Sequence, residues 1–265
     1  MTDVYRFIEG SMPLLVSVPH DGELLSDDSE HEWSDAAIDH SDRDWHVAKL
    51  YDFATELGAS MIVANYSRYV IDLNRPPSNK PLYPGQLASG LLPNETFDGR
   101  SIYADEQGPS EEETGIRLKK YYGPYHARIV RELCEIRDKH GYALLWDAHS
   151  IRSRVLSLFD GKLPVLNIGT FDGASCDATL AGAVVSEAES SNYTTVINGR
   201  FKGGYITRAY GRPSKHLHAI QLELAQRAYM DEESRRFDDA KANELRKTLG
   251  EMLEAYLDAA ARHYA

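Results

Sequence analysis

The sequence predicts an α/β domain in which helices cover both faces of a mixed, mainly parallel sheet. Apolar runs of strand length alternate along the chain with segments of helical periodicity, an order typical of α/β proteins. Helices that connect strands in this way favour parallel pairing with both sheet faces buried. No internal repeat, low-complexity stretch or long Pro/Gly/Ser-rich linker divides the chain. We therefore interpret residues 1–265 as one domain.

Short apolar runs are interpreted as the strands of this sheet. The first run, LLVSV, is followed directly by Pro19 and His20, and the run ALLWD is followed by Ala148 and His149. The last run alternates in polarity, as a strand does when one of its faces is apolar. The predicted strands are residues 14–18, 61–64, 69–73, 142–146, 165–168 and 220–224.

Three segments with apolar residues at helical spacing are interpreted as helices. Residues 45–57 form the first, and Gly58 is positioned to cap its C-terminus. Residues 111–139 form a long amphipathic helix, and a charged amphipathic helix follows Asp231. Residues 76–110 are rich in Pro, Gly, Ser and Asn and are predicted to be irregular. Loops of this length in compact domains are often lids or binding loops.

Composition excludes several classes of partner and site. The net charge of −12 argues against nucleic-acid binding, which requires a basic face. No apolar run is long enough to span a bilayer, and the N-terminus has no pattern of a secretion signal, so we expect a cytoplasmic protein without membrane contact. Cys134 and Cys176 form no CxxC pair, which argues against a disulfide framework or a cysteine metal site. The sequence leaves the oligomeric state open.

Polar residues at the C-terminal ends of predicted strands form the candidate site, because open α/β sheets place their sites there. His20 and His149 both follow apolar strands and are candidate zinc ligands. A carboxylate is needed as a third ligand, and both Asp44 and Glu23 are candidates. Asp147 lies two residues before His149, on the same side of an extended chain, and is a candidate for orienting the imidazole.

A second group of polar residues has the properties expected of a base and of anion-binding residues. Glu223 and Gln221 lie on the polar side of an otherwise apolar strand, and a carboxylate in that setting is a candidate general base. A globally acidic protein binds an anion only through a local cluster of basic residues, and arginine grips a carboxylate with two parallel hydrogen bonds. The candidates for this cluster are Arg68, Arg75 and Arg208, with Asn74 at the same edge of the sheet.

Several long motifs, in order between about residue 14 and residue 231, carry a family resemblance. They are LLVSVPH, SDRDWHVAKLYDFA, YSRYVIDLNRPP, LYPGQ, LLWDAHSIRS, LNIGT, GGYITRAYGRP and HAIQLELAQRAYMDE. With them the chain resembles the N-formylglutamate amidohydrolases, the deformylases of histidine degradation, and more distantly the zinc carboxypeptidases and the aspartoacylase group. The resemblance implies a three-layer α/β/α sandwich. It also implies zinc-dependent hydrolysis of N-formyl-L-glutamate, a small anionic N-acyl amino acid, to L-glutamate and formate.

The resemblance also implies residue roles. His20 and His149 would hold Zn²⁺, or another divalent transition metal, and Glu223 would be the base. In the carboxypeptidase-like relatives the third ligand corresponds to Glu23, whereas formylglutamate amidohydrolases keep an aspartate at the position of Asp44. Asp44 is therefore preferred, and Asp42 is a third candidate.

The resemblance implies that Asn74 and Arg75 contact a substrate carboxylate, and the expected reaction suggests the remaining contacts. Arg68 is expected to share the oxyanion, and the substrate carboxylates are expected to contact Asn74, Arg75, Arg208 and Gln221. Tyr83, His126 and His218 are further residues that could line the pocket.

Two other functions compete with this one. The first is a related metalloamidase that acts on another N-acyl amino acid or on a peptide C-terminus, with the same metal ligands and different substrate contacts. The second is a non-catalytic binding module on the same fold, against which the intact His20, His149 and Glu223 argue. A serine hydrolase is disfavoured because the sequence has no G-x-S-x-G elbow.

Overall fold

A mixed sheet of seven strands forms the centre of the computed structural model, which describes residues 3–27, 29–82 and 89–265. The strands are β1 (Tyr5–Ile8), β2 (Leu14–Val18), β3 (Ser60–Ala64), β4 (Ala143–Ile151), β5 (Leu166–Gly169), β6 (Thr195–Ile197) and β7 (Leu217–Ala225), in the spatial order β1-β3-β2-β4-β7-β5-β6. The central strands β3, β2, β4 and β7 are parallel. Strand β1 pairs antiparallel with β3, and β5 pairs antiparallel with β7. The predicted mixed, mainly parallel sheet is confirmed.

Helices pack on both faces of this sheet, as predicted. They are α1 (Asp35–Ile38), α2 (Val47–Leu50), α3 (Glu111–Arg117), α4 (Gly123–His140), α5 (Ala178–Ser190), α6 (Tyr205–Tyr210) and α7 (Asp239–His263). Alternate residues of the strands enter two separate cores. Val16 and Leu222 belong to the core that contains α5 and α7, whereas Leu15 and Leu145 belong to the core that contains α4. This alternation produces the three layers.

The prediction of a strand at residues 69–73 is wrong. These residues form a turn-rich segment in which Val70 N donates to Ser67 O at 2.9 Å and Arg75 N donates to Asp72 O at 3.2 Å. The segment is apolar because it is buried: Val70 and Ile71 pack in the core that contains α4. Short buried runs look alike in sequence whether the backbone is extended or turning.

The predicted helix at residues 45–57 is interrupted in the structure. It consists of α2 and a separate 3-10 turn, Asp52–Thr55, and Gly58 follows with the left-handed φ of +82° that suits a glycine cap. The long helix is confirmed as α3 and α4 joined by a π-helical turn, Leu118–Tyr122, and the C-terminal helix is confirmed as α7. Helices α1, α5 and α6 were not predicted, nor were strands β1 and β6.

The predicted irregular region at residues 76–110 contains no regular helix or strand in its described parts, 76–82 and 89–110. Leu91 O nevertheless accepts a hydrogen bond from Asp72 N at 2.7 Å, which ties this region to the turn that precedes it. In the part of the chain that the structure describes, none of the helices combines the length and the apolar character needed to cross a membrane.

Candidate active site

The candidate site lies where the parallel strands β2, β4 and β7 end. The strand register aligns Asp147 with Gln221 and His149 with Glu223, so these side chains share one face of the sheet. His20 follows β2 by two residues. A pocket that contains about 580 Å³ of space, its open mouth included, adjoins them. Its lining residues are His20, Asp44, Arg68, Asn74, Arg75, Ser89, Phe97, His149, Ser150, Ile151, Leu158, Arg200, Phe201, Gly204, Gln221 and Glu223.

His20, Asp44 and His149 form a buried cluster that could hold a metal ion. Each offers one ligand atom, and these atoms all lie within 4.8 Å of one another. Asp44 Oδ2 lies 2.9 Å from His149 Nδ1 and 3.7 Å from His20 Nδ1. Within the described chain, His20 Nδ1 is buried and has no hydrogen-bond partner. Two imidazoles, a carboxylate and an unsatisfied nitrogen match the ligand set of a catalytic zinc site, so these residues fit the metal.

Carboxylates on the far side of each imidazole hold the two histidines. Asp72 Oδ1 lies 2.8 Å from His20 Nε2, and Asp147 Oδ2 lies 3.2 Å from His149 Nε2. Such contacts fix the ring orientation and the tautomer of a metal-binding histidine. Asp147 was predicted for this position. Asp72 was not predicted to orient a histidine, because residues 69–73 were predicted to be a strand.

The alternative third ligands lie elsewhere. Glu23 is 65% exposed, and Glu23 Oε2 lies 2.8 Å from Arg43 Nη1. Asp42 Oδ2 accepts a hydrogen bond from Phe97 N at 2.7 Å. Of the three carboxylates considered from the sequence, only Asp44 belongs to the cluster of described metal-ligating groups.

The two carboxylates of the pocket have opposite electrostatic environments. Burial opposes ionisation of Asp44, but the hydrogen bond with His149 and the nearby His20 imidazole outweigh it and hold the pKa of Asp44 below its usual value. Burial raises the pKa of Glu223 to about 8, and the nearby charge of His149 opposes this shift only partly. A raised pKa is typical of a carboxyl group that exchanges protons during catalysis.

Gln221 links Glu223 to the start of α6. Gln221 Nε2 donates to Glu223 Oε2 at 3.2 Å, and Gln221 Oε1 accepts from Gly204 N at 2.6 Å. Asn74 is also held by α6, because Asn74 Oδ1 accepts from Ile206 N at 2.8 Å, and Asn74 Nδ2 lies 2.8 Å from His149 Nε2. Both side chains line the pocket. Their amides connect the start of α6 to Glu223 and to His149.

Two of the three predicted arginines line the pocket. Arg68 Nη2 donates to Asp72 Oδ2 at 2.7 Å, and Arg75 Nε donates to Ser89 O at 2.7 Å. Arg208 is not among the described lining residues, and its guanidinium donates to Gly203 O and Leu82 O. Arg200 lines the pocket and was not predicted, because nothing in the surrounding sequence distinguishes it from a surface arginine.

The other residues considered from the sequence are not part of the described pocket lining. His126 Nε2 donates to Leu73 O at 2.9 Å, and His218 Nε2 lies 2.6 Å from the Tyr264 hydroxyl. Tyr83 lies outside the described residues.

A family model, two curated relatives and a solved structure all match this chain and carry the same type of name. The model of the N-formylglutamate amidohydrolase family matches residues 12–230. The N-formylglutamate deformylase of Pseudomonas putida is 49% identical, over 100% of this chain and 99% of that protein. The deformylase of Pseudomonas aeruginosa is also 49% identical, over 100% of both chains. The crystal structure of an N-formylglutamate amidohydrolase from Ralstonia eutropha JMP134 matches with a TM-score of 0.80 at 23% identity, over 98% of this chain and 99% of that chain, and shares its fold.

Proposed function

Because the chain belongs to the N-formylglutamate amidohydrolase family, we propose that it hydrolyses N-formyl-L-glutamate to L-glutamate and formate with a bound divalent transition metal, zinc in the first instance. The chain is a hydrolase that acts on an amide. The zinc requirement and the residue roles below are proposals. The observation that carries them is the buried His20, Asp44 and His149 cluster with Glu223 on the neighbouring strand.

The proposed chemistry divides between the metal and the protein side chains. A metal held by His20, Asp44 and His149 would supply Lewis acidity and lower the pKa of a water molecule. Glu223 would accept a proton from the attacking water and pass it to the leaving amine nitrogen. The Arg68 guanidinium, fixed by Asp72, would stabilise the negative charge that develops on the formyl oxygen.

Substrate binding is proposed to depend on the arginines and amides around the pocket. N-formyl-L-glutamate carries two carboxylates, and Arg75 and Arg200 line the pocket in which they would bind. Asn74 and Gln221 would add hydrogen bonds. Arg208 would support the pocket without contacting the substrate, since its guanidinium donates a hydrogen bond to the Gly203 carbonyl. Holding both carboxylates positions the formyl group for attack.

The first test is formate release from N-formyl-L-glutamate by the purified protein, before chelation, after chelation and after zinc is restored. We expect release to disappear on chelation and return with zinc. It should also be faster than hydrolysis of N-acetyl-L-glutamate or N-formyl-L-methionine. Chelation-resistant release would refute the metal requirement. Preference for another N-acyl amino acid would retain the metalloamidase and reassign its substrate.

We further propose that the reaction is the last step of a histidine degradation route in the cytoplasm. The relatives named for this activity support the reaction, and the pathway requires a test in cells. A strain that lacks the gene and grows with histidine as its nitrogen source should accumulate N-formylglutamate. Unchanged N-formylglutamate levels in that strain would show that the enzyme is not needed for histidine degradation.

A further inference from the structure

A second group of metal-ligating side chains lies outside the active-site pocket. Glu30, His31 and Glu113 each offer one ligand atom, and these atoms lie within 4.8 Å of one another. We call this group the His31 cluster. None of its members lines the active-site pocket, and none has a part in the proposed reaction. The cluster joins two distant parts of the chain: the segment between His20 and Asp44, and the first turn of α3.

Glu113 provides the observation that points to a ligand. Glu113 is only 2% exposed, and in the described chain Glu113 Oε2 is buried without a hydrogen-bond partner. The other oxygen, Oε1, accepts hydrogen bonds from Arg117 Nε and Nη2. A buried carboxylate oxygen without a donor is costly, and a cation is the kind of partner that would satisfy it.

His31 is held as metal-binding histidines usually are. Its Nδ1 lies 2.7 Å from Asp105 Oδ2, and its ring packs edge-on against Tyr103 at a centroid distance of 5.5 Å. When Nδ1–H donates to a carboxylate, Nε2 presents its lone pair. Glu30 completes the group from an exposed position, through which an ion could enter.

We propose that the His31 cluster binds a second divalent transition metal of the zinc class through Glu30, His31 and Glu113, with Asp105 orienting the histidine. Imidazole with carboxylates suits zinc, cobalt or nickel, whereas calcium and magnesium prefer sites of oxygen alone. The role of this ion is structural. It would fasten the segment that connects two proposed active-site ligands, His20 and Asp44, to α3.

The test counts zinc in the full chain by equilibrium dialysis against zinc chloride, with metal content read by atomic absorption. The unaltered chain should bind two equivalents, and the His20→Ala/His149→Ala chain should bind one. Adding His31→Ala to that double variant should abolish zinc binding. In the unaltered background, His31→Ala should retain one equivalent. Excess calcium or magnesium should not displace the second ion.

Further variants guard against an effect of misfolding. Glu30→Gln keeps the size of an exposed side chain, so the fold should persist while the second equivalent is lost. Asp105→Asn should weaken binding of the second ion by about 10- to 100-fold. His263→Ala is the matched control, because His263 Nδ1 also lies near a carboxylate, 3.9 Å from Asp177 Oδ1, and this variant should bind two equivalents.

Two results would overturn the proposal. One is a single equivalent in the unaltered chain that disappears in His20→Ala/His149→Ala. The other is a second equivalent that survives both His31→Ala and Glu30→Gln. Deformylase activity is read separately, so failure of the first site and failure of the His31 cluster are distinguishable.

Discussion

His20 is buried in an arrangement that folding alone does not favour. Its Nε2 lies 2.8 Å from Asp72 Oδ1, while Nδ1 has no hydrogen-bond partner among the described residues. Burying an unsatisfied polar atom costs about 1–3 kcal/mol. A metal bound between His20, Asp44 and His149 would remove this cost. We therefore expect the metal to stabilise the fold as well as to serve the reaction.

Substitution of Asp44 and of Glu23, two of the three carboxylates considered as the third ligand, tests which of them binds the metal. Asp44→Asn should lose the active-site equivalent of zinc, because the amide is a weaker ligand and the cluster loses its negative charge. Glu23→Gln should keep zinc, because Glu23 is 65% exposed and pairs with Arg43. Metal content after dialysis, with circular dichroism as the control for folding, measures both. Zinc loss in Glu23→Gln with retention in Asp44→Asn would reverse the assignment.

Glu223→Gln tests the role of the base. The variant should retain zinc, and kcat for N-formyl-L-glutamate should fall by about 10²- to 10⁴-fold, since the amide cannot accept the proton. Gln221 serves as a neighbouring control, because it lines the same pocket without carrying a titratable group. Gln221→Ala should reduce turnover less than Glu223→Gln. Loss of zinc from Glu223→Gln would make Glu223 a ligand instead.

At the scale of elements, α6 closes the site against the sheet through backbone contacts. Gly204 has a φ of −81°, which any residue can adopt, so glycine is needed here because there is no space for a side chain. A Cβ atom at Gly204 would lie 2.3 Å from Asn74 Nδ2, and Asn74 in turn contacts His149. The close approach of α6 to this amide therefore depends on a residue without a side chain.

Gly204→Ala should destabilise the protein by about 1–3 kcal/mol through overpacking, and turnover should fall as Asn74 moves away from His149. Gly182→Ala is the matched control. Gly182 is exposed in the middle of α5, and a Cβ there meets nothing within 4 Å. That variant should gain about 0.5–1 kcal/mol, because alanine loses less conformational entropy in a helix. Urea unfolding and kcat measure both, and equal effects of the two substitutions would contradict the steric explanation.

The elements that the sequence predicted are those with a strong periodic signal. Helices α4 and α7 are long and amphipathic, and β7 alternates in polarity, so each was found. The turn at residues 69–73 was predicted to be a strand because most of its residues are apolar. They are apolar because they are buried, whether the backbone is extended or turning. Helix α6 was missed because its six residues are held by contacts with Asn74 and Gln221, which no local pattern encodes.

At the scale of the whole molecule, part of the site followed from the positions of strand ends. His20, His149 and Glu223 were predicted to converge because the C-terminal ends of parallel strands meet at one edge of a sheet, although His149 lies inside β4, which runs further than the predicted strand at 142–146. Asp72 and Arg200 were not found, since their places depend on how an irregular turn and a loop cross that edge. Strand order was also beyond the sequence, because nothing local specifies that β7 lies between β4 and β5.

Two buried histidines outside the active site predict how stability depends on pH. Burial lowers the pKa of His126 and of His218 to about 4. The Tyr210 hydroxyl lies 2.7 Å from His126 Nδ1, and Asp177 N donates to His218 Nδ1 at 3.1 Å, so each ring is held in its neutral form. In the unfolded chain both imidazoles titrate near pH 6.5. Between pH 6.5 and 4, the unfolded state therefore binds protons that the folded state does not.

The free energy of unfolding should consequently fall as the pH decreases from about 6.5 to 4, by up to about 1.4 kcal/mol per pH unit for each histidine. His126→Gln and His218→Gln keep one donor and one acceptor but do not titrate, so each should flatten this dependence, and the double variant should flatten it most. Urea unfolding at pH 7, 6 and 5 gives the comparison with the unaltered chain. Parallel curves would show that these rings become protonated without unfolding, and that protonation elsewhere controls acid stability.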